Sequence, residues 1–428
     1  MRLNEQFFDV VISGGGLSGS LMALSLAMFK KSDGEPLSIA VVEAVDKKDN
    51  KASNQELTQI SVKSNVFDQR VLALSHGSSQ YLEQLGIWED LAPHACPIKE
   101  IDISDRGNYG KARINAKKHH VDALGYVIEM ALIGNALQKK LKQYKHVNYY
   151  FGQTITKVDW TEENAQPPIN SKQKKQSICM TLASGEHLCT RLLLGCDGLN
   201  SPSRKQANIK VKSSDYQQMA LIANVATSLP HQNKAYERFT TQGPIAMLPL
   251  LSLKGENRCS LVWTLNPDSA KKIASLNDAD FKKSLEQAFG YWLGGITQVG
   301  ERVAFPLTLV QAEQQTYHRM ALIGNASHTI HPIAGQGFNL GLRDVKYMAE
   351  LIKMAVDTNQ DIGSFSLLHH YEKQRNKDHH EVISLTDSLV TLFSNELPPL
   401  VAGRNIGLKA LNYLSPLKHK LVIKTMGY

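Results

Sequence analysis

Apolar and polar positions at the start of the chain follow the order strand, helix, strand. The run Phe7–Ser13 is short and almost wholly apolar, which predicts a strand that is buried on both faces. Ser38–Val42 is a second run of this kind, and Glu43 follows it directly. The segment between the two runs predicts a helix, because its apolar residues recur at helical spacing: Leu17, Leu21, Leu24 and Met28.

The turn between the first strand and the helix is rich in glycine. Its sequence, Gly14-Gly15-Gly16-Leu17-Ser18-Gly19, has the spacing G-x-G-x-x-G, which in this position predicts a dinucleotide-binding site. Gly14 permits the tight turn, Gly16 lets the backbone approach a pyrophosphate, and Gly19 lets the helix pack closely on the strand. The start of the helix, at Leu17 and Ser18, supplies N–H groups and a partial positive charge to the phosphates.

Glu43 indicates which dinucleotide the unit binds. A carboxylate at the end of the second strand accepts hydrogen bonds from the ribose hydroxyls of adenosine, and it would repel a 2′-phosphate. The unit therefore predicts NAD or FAD, and it does not distinguish between them.

Two later segments distinguish FAD from NAD. Two more strand-like runs end at Asp197-Gly198 and at Gly324-Asn325, so each brings a polar group to the carboxyl edge of a sheet. A glycine-rich loop and a helical pattern follow the second run. An extended FAD needs such a second set of contacts for its ribityl chain and isoalloxazine ring. We expect this loop and the start of this helix to contact the flavin through their backbone. The residues concerned are Gly335, Gly337, Phe338 and Asn339.

These segments together resemble the class A flavoprotein aromatic hydroxylases, and within that class the ubiquinone-biosynthesis hydroxylases. The resemblance covers nearly the whole chain in the same order. It implies an α/β fold in which a Rossmann-type FAD-binding domain carries an inserted β-rich substrate domain and a helical C-terminal segment. The segments that carry it are Gly14–Gly19, Gln69–Leu74, Ile103–Gly107, Asp197-Gly198, Gly324–Gly341 and Arg404–Leu408.

The resemblance also implies domain boundaries. The FAD-binding part would comprise residues 1–75, 125–205 and 315–345. The substrate part would comprise residues 76–124 and 206–314, and the helical part residues 346–428. Alternating apolar positions in the substrate part predict an antiparallel sheet, with a hairpin turn at Gly255-Glu256-Asn257. We expect its apolar residues to form the core or to line a pocket, namely Ile245, Met247, Leu248, Leu261 and Trp263.

Several single residues acquire roles by this resemblance. Arg70 would contact the FAD pyrophosphate. Asp197 would contact a ribose or a group on the pyrophosphate side, and Gly198 would allow close approach. Glu129 stands where the family has a cofactor-contacting residue. His331 and Pro332 would lie at the front of the isoalloxazine ring. No side-chain acid or base is assigned, and His328 receives no role.

Asn325 departs from the wider family, which has aspartate there to bind a ribityl hydroxyl. Asparagine keeps an acceptor oxygen but loses the charge and adds a donor. The ubiquinone branch resembles this chain in having asparagine, so we expect FAD binding to be retained.

The activity that the resemblance implies is an FAD-dependent hydroxylation of the ring of a polyprenyl methoxyphenol in ubiquinone biosynthesis, through a C4a-hydroperoxyflavin. NAD(P)H would be a transient reductant and O₂ the second substrate. No second dinucleotide fingerprint occurs in the sequence, so NAD(P)H would bind without a Rossmann domain of its own.

Three alternatives share part of this pattern. Another isoprenoid oxidoreductase, a reductase or an epoxidase, would have the same fold and FAD loops but a different product. An NAD-dependent dehydrogenase would share only the first loop and would purify without a yellow colour. A non-catalytic subunit would hold FAD for structure and would not turn over NAD(P)H with any phenol.

Composition and charge limit the partners. Lys and Arg number 48 against 40 Asp and Glu, yet no nucleic-acid motif accompanies this excess, so nucleic acid is not an expected partner. The five cysteines lack metal-binding and C-x-x-C spacing, which predicts reduced thiols and no metal site. No apolar run is long enough to cross a bilayer, and the first strand begins too early for a signal peptide. These two features predict a cytoplasmic location.

Residues 401–428 contain five Lys or Arg and no Asp or Glu, and they carry an apolar stripe. A cationic amphipathic segment is typical of contact with an anionic membrane surface, here the edge of the inner membrane. A helix packed on the domain has the same pattern, so both interpretations stay open. The stripe consists of Leu408, Leu411, Leu414, Leu417 and Leu421.

Overall fold

The computed structural model describes residues 5–46, 70–160, 177–394, 398–413 and 415–428. The two polar stretches that the sequence predicts as surface loops, Asp46–Asn65 and Thr161–Ser177, lie almost wholly outside these residues. Within them, three sheets and the helices packed on them account for most of the chain.

The first sheet has eight strands: β1 (Glu5–Ser13), β2 (Ile39–Glu43), β8 (Val147–Phe151), β9 (Ile155–Asp159), β10 (Ile178–Leu182), β11 (His187–Gly195), β18 (Thr316–Tyr317) and β19 (Met320–Leu322). The order is β18-β19-β11-β1-β2-β8, with β10 beside β11 and β9 beside β10. β1 is parallel to both of its neighbours, in register Val11 to Leu193 and Val11 to Ala40. The predicted buried parallel strand is therefore confirmed at the centre of the sheet.

Both faces of β1 are covered, which explains its continuous apolar run. Val10 and Ile12 pack into the cluster that holds the helices α1 (Leu17–Ala27) and α8 (Gln336–Asp357). Val11 packs on the opposite face in a second cluster with residues of β10 and β11. A strand with one face in water would have needed alternating polar positions.

The second sheet has nine strands: β5 (Glu100–Asp105), β6 (Lys111–Asn115), β12 (Val211–Thr227), β13 (Lys234–Thr240), β14 (Gly243–Leu253), β15 (Glu256–Leu265), β16 (Ile296–Val299), β17 (Val303–Ala312) and β20 (His328–Thr329). Its order is β20-β17-β12-β15-β14-β13-β5-β6, with β16 beside β12. The predicted hairpin is the β14–β15 pair, which turns at Lys254 and Gly255, both in the left-handed region.

Two helices cover one face of the second sheet, α6 (Pro267–Ala274) and α7 (Asp278–Phe289). Four of the five apolar residues that were candidates for core or pocket lie in the cluster under these helices, namely Ile245, Met247, Leu261 and Trp263. They therefore form core. Leu248 lies on the opposite face, in a cluster with Val127 and Leu250.

A small sheet joins the two larger ones, with strands β3 (Val71–Ser75), β4 (Cys96–Ile98) and β7 (Gly125–Glu129) in the order β3-β7-β4. Short helices follow its strands: α2 (His76–Gln84), α3 (Trp88–Leu91) and α4 (Met130–Leu141). A further one-turn helix, α5 (Pro202–Gln206), follows β11.

The C-terminal helices are α9 (Phe365–Ser394), α10 (Pro398–Tyr413) and α11 (Ser415–Thr425). Arg404 of α10 donates from Nε to Asp105 Oδ2 at 2.8 Å, and the side chains of this pair are 4% and 2% exposed. Asn405 adds a hydrogen bond to the same carboxylate and accepts one from Gly110 N. Two segments of the family resemblance, Ile103–Gly107 and Arg404–Leu408, thus form one buried contact between α10 and β5.

The apolar stripe near the C-terminus is partly buried against the protein. Leu408 packs with Phe239 and Phe393, which supports the interpretation of α10 as a packed helix. The other stripe positions, from Leu411 onward, have side chains outside the described part of the chain. No helix among the described residues is long and apolar enough to cross a bilayer.

The prediction of reduced thiols is wrong for two cysteines. Cys179 and Cys189 form a disulfide, whereas Cys96, Cys196 and Cys259 are free and buried. The first two are direct partners in the antiparallel β10–β11 pair, with Cα atoms 4.1 Å apart. Spacing rules for cysteine motifs do not detect such a pair, because strand register sets the distance.

Arg404→Gln should lower the free energy of unfolding by about 3–5 kcal/mol, because it leaves the buried carboxylate of Asp105 without its cation. The measurement is urea denaturation followed by circular dichroism. The control is Lys139→Gln, which breaks the exposed pair with Asp90 and should cost less than about 1 kcal/mol. Equal losses for the two variants would contradict this account of α10.

Candidate active site

The first glycine loop lies between β1 and α1. A Cβ on Gly14 would lie 2.6 Å from the Cys196 carbonyl oxygen, and a Cβ on Gly19 would overlap the Gly14 carbonyl oxygen. Gly16 differs from both, because a Cβ there would meet no atom of the described residues within 4 Å. Gly14 and Gly19 are therefore needed for packing, and the space before Gly16 is open to a phosphate.

Glu43 holds this loop in place. Its Oε2 accepts a hydrogen bond from Gly15 N at 2.5 Å, and its Oε1 accepts one from Val45 N at 2.9 Å. A carboxylate has about four acceptor positions, so capacity remains for a ribose hydroxyl. The sequence did not predict the contact with Gly15, through which Glu43 shapes the loop, and the contact of Glu43 with a ribose stays a prediction.

Asp197 follows β11 and faces the same edge of the sheet. Its Oδ2 accepts hydrogen bonds from Ser13 Oγ at 3.0 Å and Ser203 N at 2.9 Å. Its Oδ1 is buried and has no hydrogen-bond partner among the described residues. A buried acceptor without a donor is costly, so this oxygen fits a hydroxyl of a bound cofactor. Gly198 has a φ of +78° and open space around it, as the close approach of a ligand requires.

The second loop meets the first at Gly324. This glycine has a φ of +60°, and a Cβ on it would lie 3.0 Å from the Oγ of Ser18. Asn325 lies in the same short 3₁₀ turn with its side chain exposed. The two loops that the sequence predicted for the two ends of FAD are therefore adjacent in space.

Asn339 fastens the start of α8 to the small sheet. Its Oδ1 accepts hydrogen bonds from Ser75 N at 2.9 Å and Ser78 Oγ at 2.7 Å. Its Nδ2 donates to the carbonyl oxygens of Ala73 at 2.8 Å and Gly335 at 2.7 Å. All four contacts are internal, so any contact of Asn339 with the flavin would come from its backbone N–H.

The helices α1 and α8 both begin without a side-chain cap. Their first N–H groups are therefore free to bind an electronegative group of a ligand. Gly335 has a φ of +62°, and a Cβ on it would lie 2.8 Å from the Cβ of Ala73. The side chain of Phe338 packs against the core. The backbone at Gly337 is therefore the part of the helix start that faces the second loop.

His331 is buried, and its ring contacts the second sheet. Its Nε2 lies 3.3 Å from Gln218 Oε1, and Tyr216 meets it edge-on with ring centroids 5.1 Å apart. Burial lowers the pKa of His331 to about 4, so the ring is neutral at physiological pH. Nδ1 has no partner among the described residues, and Pro332 follows at the entrance to the loop.

Sequence reasoning missed the residues that surround His331. Tyr216 donates a hydrogen bond to Asp387 Oδ1 at 2.5 Å, and β12 has an irregular register between Asp215 and Gln218. Gln217 has a φ of +52° at this bulge. A bulge of this kind re-aims side chains, and no local sequence signal shows where it will occur.

Arg70 and Glu129 lie at the ends of the small sheet. The carbonyl oxygen of Arg70 accepts a hydrogen bond from Met130 N at 2.9 Å, and its side chain is exposed. The carboxylate of Glu129 lies 3.8 Å from Arg258 Nη2 of β15, and burial raises its pKa. Glu129 thus contacts the second sheet, and the cofactor contacts of both residues stay predictions.

A buried carboxylate, Asp344 of α8, holds the second loop. Its Oδ2 accepts hydrogen bonds from Gly324 N and His328 Nε2, each at 3.0 Å. Its Oδ1 accepts from Arg375 Nε at 2.6 Å and His379 Nε2 at 2.8 Å. Neither Asp344 nor the role of His328 was predicted, because the residues come from three separate segments.

The group His328, Asp344 and His379 has ligand atoms close enough to hold a metal ion. Both imidazoles direct Nε2 to the carboxylate, and the guanidinium of Arg375 supplies a positive charge beside it. Burial raises the pKa of Asp344, but His379, Arg375 and His328 outweigh that effect and hold the pKa well below its usual range. Burial lowers the pKa of His379 to about 4. Arg375 and the two histidines therefore stabilise the charge of the Asp344 carboxylate without a metal ion.

This geometry defines a protein that binds an extended dinucleotide across two loops of a Rossmann-type sheet. Residues 8–386 match the FAD binding domain family, and the chain belongs to that family. FAD is therefore its cofactor. Gly16, Asp197 and the two uncapped helix starts fit FAD, since they offer open space, an unsatisfied acceptor and free N–H groups.

The chain is similar over nearly its whole length to proteins of ubiquinone biosynthesis. It is 31% identical to the ubiquinone hydroxylase UbiL of Rhodospirillum rubrum, with 99% of this chain and 90% of that protein covered. It is 30% identical to the mitochondrial ubiquinone biosynthesis monooxygenase COQ6 of Danio rerio, with 98% and 89% covered.

Solved structures share the fold. The p-nitrophenol 4-monooxygenase PnpA of Pseudomonas putida superposes with a TM-score of 0.73 at 16% identity, with 99% of each chain covered. PqsL of Pseudomonas aeruginosa, a probable FAD-dependent monooxygenase, gives 0.71 at 19% identity, with 95% and 100% covered. The predicted fold class is thereby confirmed.

Gly16→Ala should weaken FAD binding at least about tenfold without changing the stability of the FAD-free protein. The new methyl group meets no protein atom but fills the space before the loop. FAD affinity is measured by fluorescence titration and stability by thermal denaturation of the apoprotein. Gly403→Ala, also in open space, is the control. A normal FAD affinity in Gly16→Ala would contradict the placement of the phosphates.

Asp344→Asn should lower the free energy of unfolding by about 3–5 kcal/mol, because Arg375 loses its buried counter-charge. FAD affinity should fall as well, since an amide offers one acceptor oxygen in place of the two that Gly324 shares with three side chains. Asp378→Asn is the matched control, because it removes the second and more exposed partner of Arg375. Urea denaturation and flavin titration measure the two effects, and equal effects of the two substitutions would contradict the role given to Asp344.

Proposed function

We propose that the protein is an FAD-dependent monooxygenase that hydroxylates the ring of a polyprenyl methoxyphenol during ubiquinone biosynthesis, with NAD(P)H as reductant and O₂ as oxidant. The observation that carries the proposal is the near full-length similarity to UbiL and COQ6, which includes both cofactor loops. An NAD-dependent dehydrogenase would not need the second loop or its adjacency to Ser18.

The protein's own residues hold and orient the cofactor. The loop at Gly16 and the start of α1 would bind the pyrophosphate, and Glu43 and Asp197 would accept hydrogen bonds from hydroxyls of the cofactor. Bound FAD would supply the redox chemistry, namely the acceptance of hydride from NAD(P)H and the activation of O₂. The partial positive charge at the start of α8 favours negative charge on the part of the cofactor that lies against it.

The front of the site is suited to exclude water. His331 is buried and neutral, and the ring of Tyr216 covers it from the side of the second sheet. A buried and uncharged lining of this kind would help to keep water away from the reactive species of an oxygen-transfer reaction. The second sheet would then carry the aromatic substrate, in agreement with the division into FAD-binding and substrate domains proposed above.

A contact with a membrane surface or a multi-protein complex belongs to this proposal, because a long prenyl tail is poorly soluble. The basic residues in 401–428, without any acidic residue, support an anionic surface as the partner. Leu408 does not take part, since it is buried against Phe393.

The test is an assay of the purified protein with FAD, NAD(P)H, air and a short-chain 2-prenyl-6-methoxyphenol, with mass spectrometry of the products. The expected product is heavier than the phenol by one oxygen atom and absent without protein. Peroxide formation without an oxygenated phenol would reject this substrate. Bound flavin without NAD(P)H consumption would favour a non-catalytic subunit, and another product would favour the reductase or epoxidase alternative.

A further inference from the structure

The face of the second sheet opposite α6 and α7 is turned toward the FAD-binding part of the chain. Two contacts join this face to that part, and a third joins it to the C-terminal helix α9. Gln218 of β12 meets His331, and Arg258 of β15 meets Glu129. Phe239 of β13 stacks on Phe393 of α9 with ring centroids 3.6 Å apart. Strand register places Gln218, Arg258 and Phe239 on the same face.

One row of register partners crosses this face between the three contacts. Five of its six members are partly buried and the sixth, Val303, is exposed, whereas most residues on the helix-covered face are buried, so the row borders a space. Val303 is 43% exposed, which means that the row reaches the outside of the protein at β17. The row consists of Ile103, Glu237, Ala246, Val262, Ile222 and Val303.

Glu237 is the one ionisable residue of this apolar row. Its carboxylate has no hydrogen bond or ion pair to any residue that the structure describes. Burial raises its pKa to about 7. A carboxylate in such a position needs a donor from elsewhere, because an unpaired charge away from water is costly.

The charged groups on the neighbouring elements have partners of their own. Asp105 of β5 pairs with Arg404, and Glu129 of β7 pairs with Arg258. Asp387 of α9 accepts a hydrogen bond from Tyr216. His331 is neutral, since its pKa is about 4. None of these groups is left over for Glu237.

We propose that Glu237 accepts a hydrogen bond from the phenolic hydroxyl of the substrate, and that Ala246, Val262, Ile222 and Val303 line the path of its apolar tail. Four strand spacings separate Glu237 from Val303, a length of about 19 Å. That length accommodates an aromatic ring and the beginning of a chain that continues outside. The inference rests on the proposed function and assigns its substrate-binding carboxylate.

The test compares the binding of two ligands to the FAD-loaded protein, 2-prenyl-6-methoxyphenol and its O-methyl ether, followed by the absorbance of the flavin. The natural protein should bind the phenol roughly tenfold more tightly than the ether, because only the phenol donates to a carboxylate. Glu237→Leu should abolish this preference, while Glu237→Gln should reduce it. Glu89→Leu, at an exposed glutamate of α3, is the control and should keep the preference.

Two further readouts separate binding from structural damage. The affinity of the natural protein for the phenol should rise as pH rises through about 7, where Glu237 becomes a carboxylate, and Glu237→Gln should show no such rise. Ala246→Leu should weaken the binding of the prenylated phenol but not the binding of 2-methoxyphenol, which has no tail. Flavin content and circular dichroism confirm that each variant is folded.

Persistence of the preference in folded Glu237→Leu would overturn the inference. Equal binding of phenol and ether by the natural protein would overturn it as well, although turnover of the phenol would still uphold the proposed function. If the natural protein neither binds nor converts the phenol, the proposed function fails and the inference fails with it.

Discussion

The carboxylate of Asp344 is the contact on which the cofactor site depends. It is buried without any exposure, and it accepts hydrogen bonds from the Gly324 backbone and from side chains of the second loop and α9. The turn at Gly324 places Asn325 and meets Ser18 of the first loop. Because a buried charge tolerates few alternative arrangements, this one carboxylate sets the position of the loop against the sheet.

The remaining architecture is suited to cover an extended cofactor on two sides. The parallel sheet around β1 brings Gly14, Glu43 and Asp197 to one edge, and α8 contributes its uncapped start there. The second sheet closes the other side through Gln218, Arg258 and Phe239. The buried pair of Arg404 and Asp105 then fastens the C-terminal helices across this sheet. The proposed sites for cofactor and substrate would therefore combine segments from both ends of the chain.

The two parts of the site differ in how far they could be predicted. The places of the loop glycines, Glu43 and Asp197 at strand ends were predicted, because these places reflect local backbone geometry, while their contacts with the cofactor stay predictions. Tyr216, Gln218 and Asp387 were not, since a bulge in β12 and the path of α9 bring them to His331. Glu237 lies in β13, within the part of the chain for which the sequence predicted a sheet, but its isolation among apolar partners is visible only in the register of six strands.

The sequence by itself predicted the class of fold, through its resemblance to a known family. It also predicted the two glycine-rich loops, because these depend on short-range periodicity and on glycine conformations. Only the tertiary structure decided that Cys179 bonds to Cys189, that His328 contacts the carboxylate of Asp344, and that the side chain of Asn339 contacts the backbone of β3. Each of these contacts joins residues whose distance is set by strand register or helix packing. A linear pattern contains the residue types for such contacts, but the partners are chosen by the packing of the whole chain.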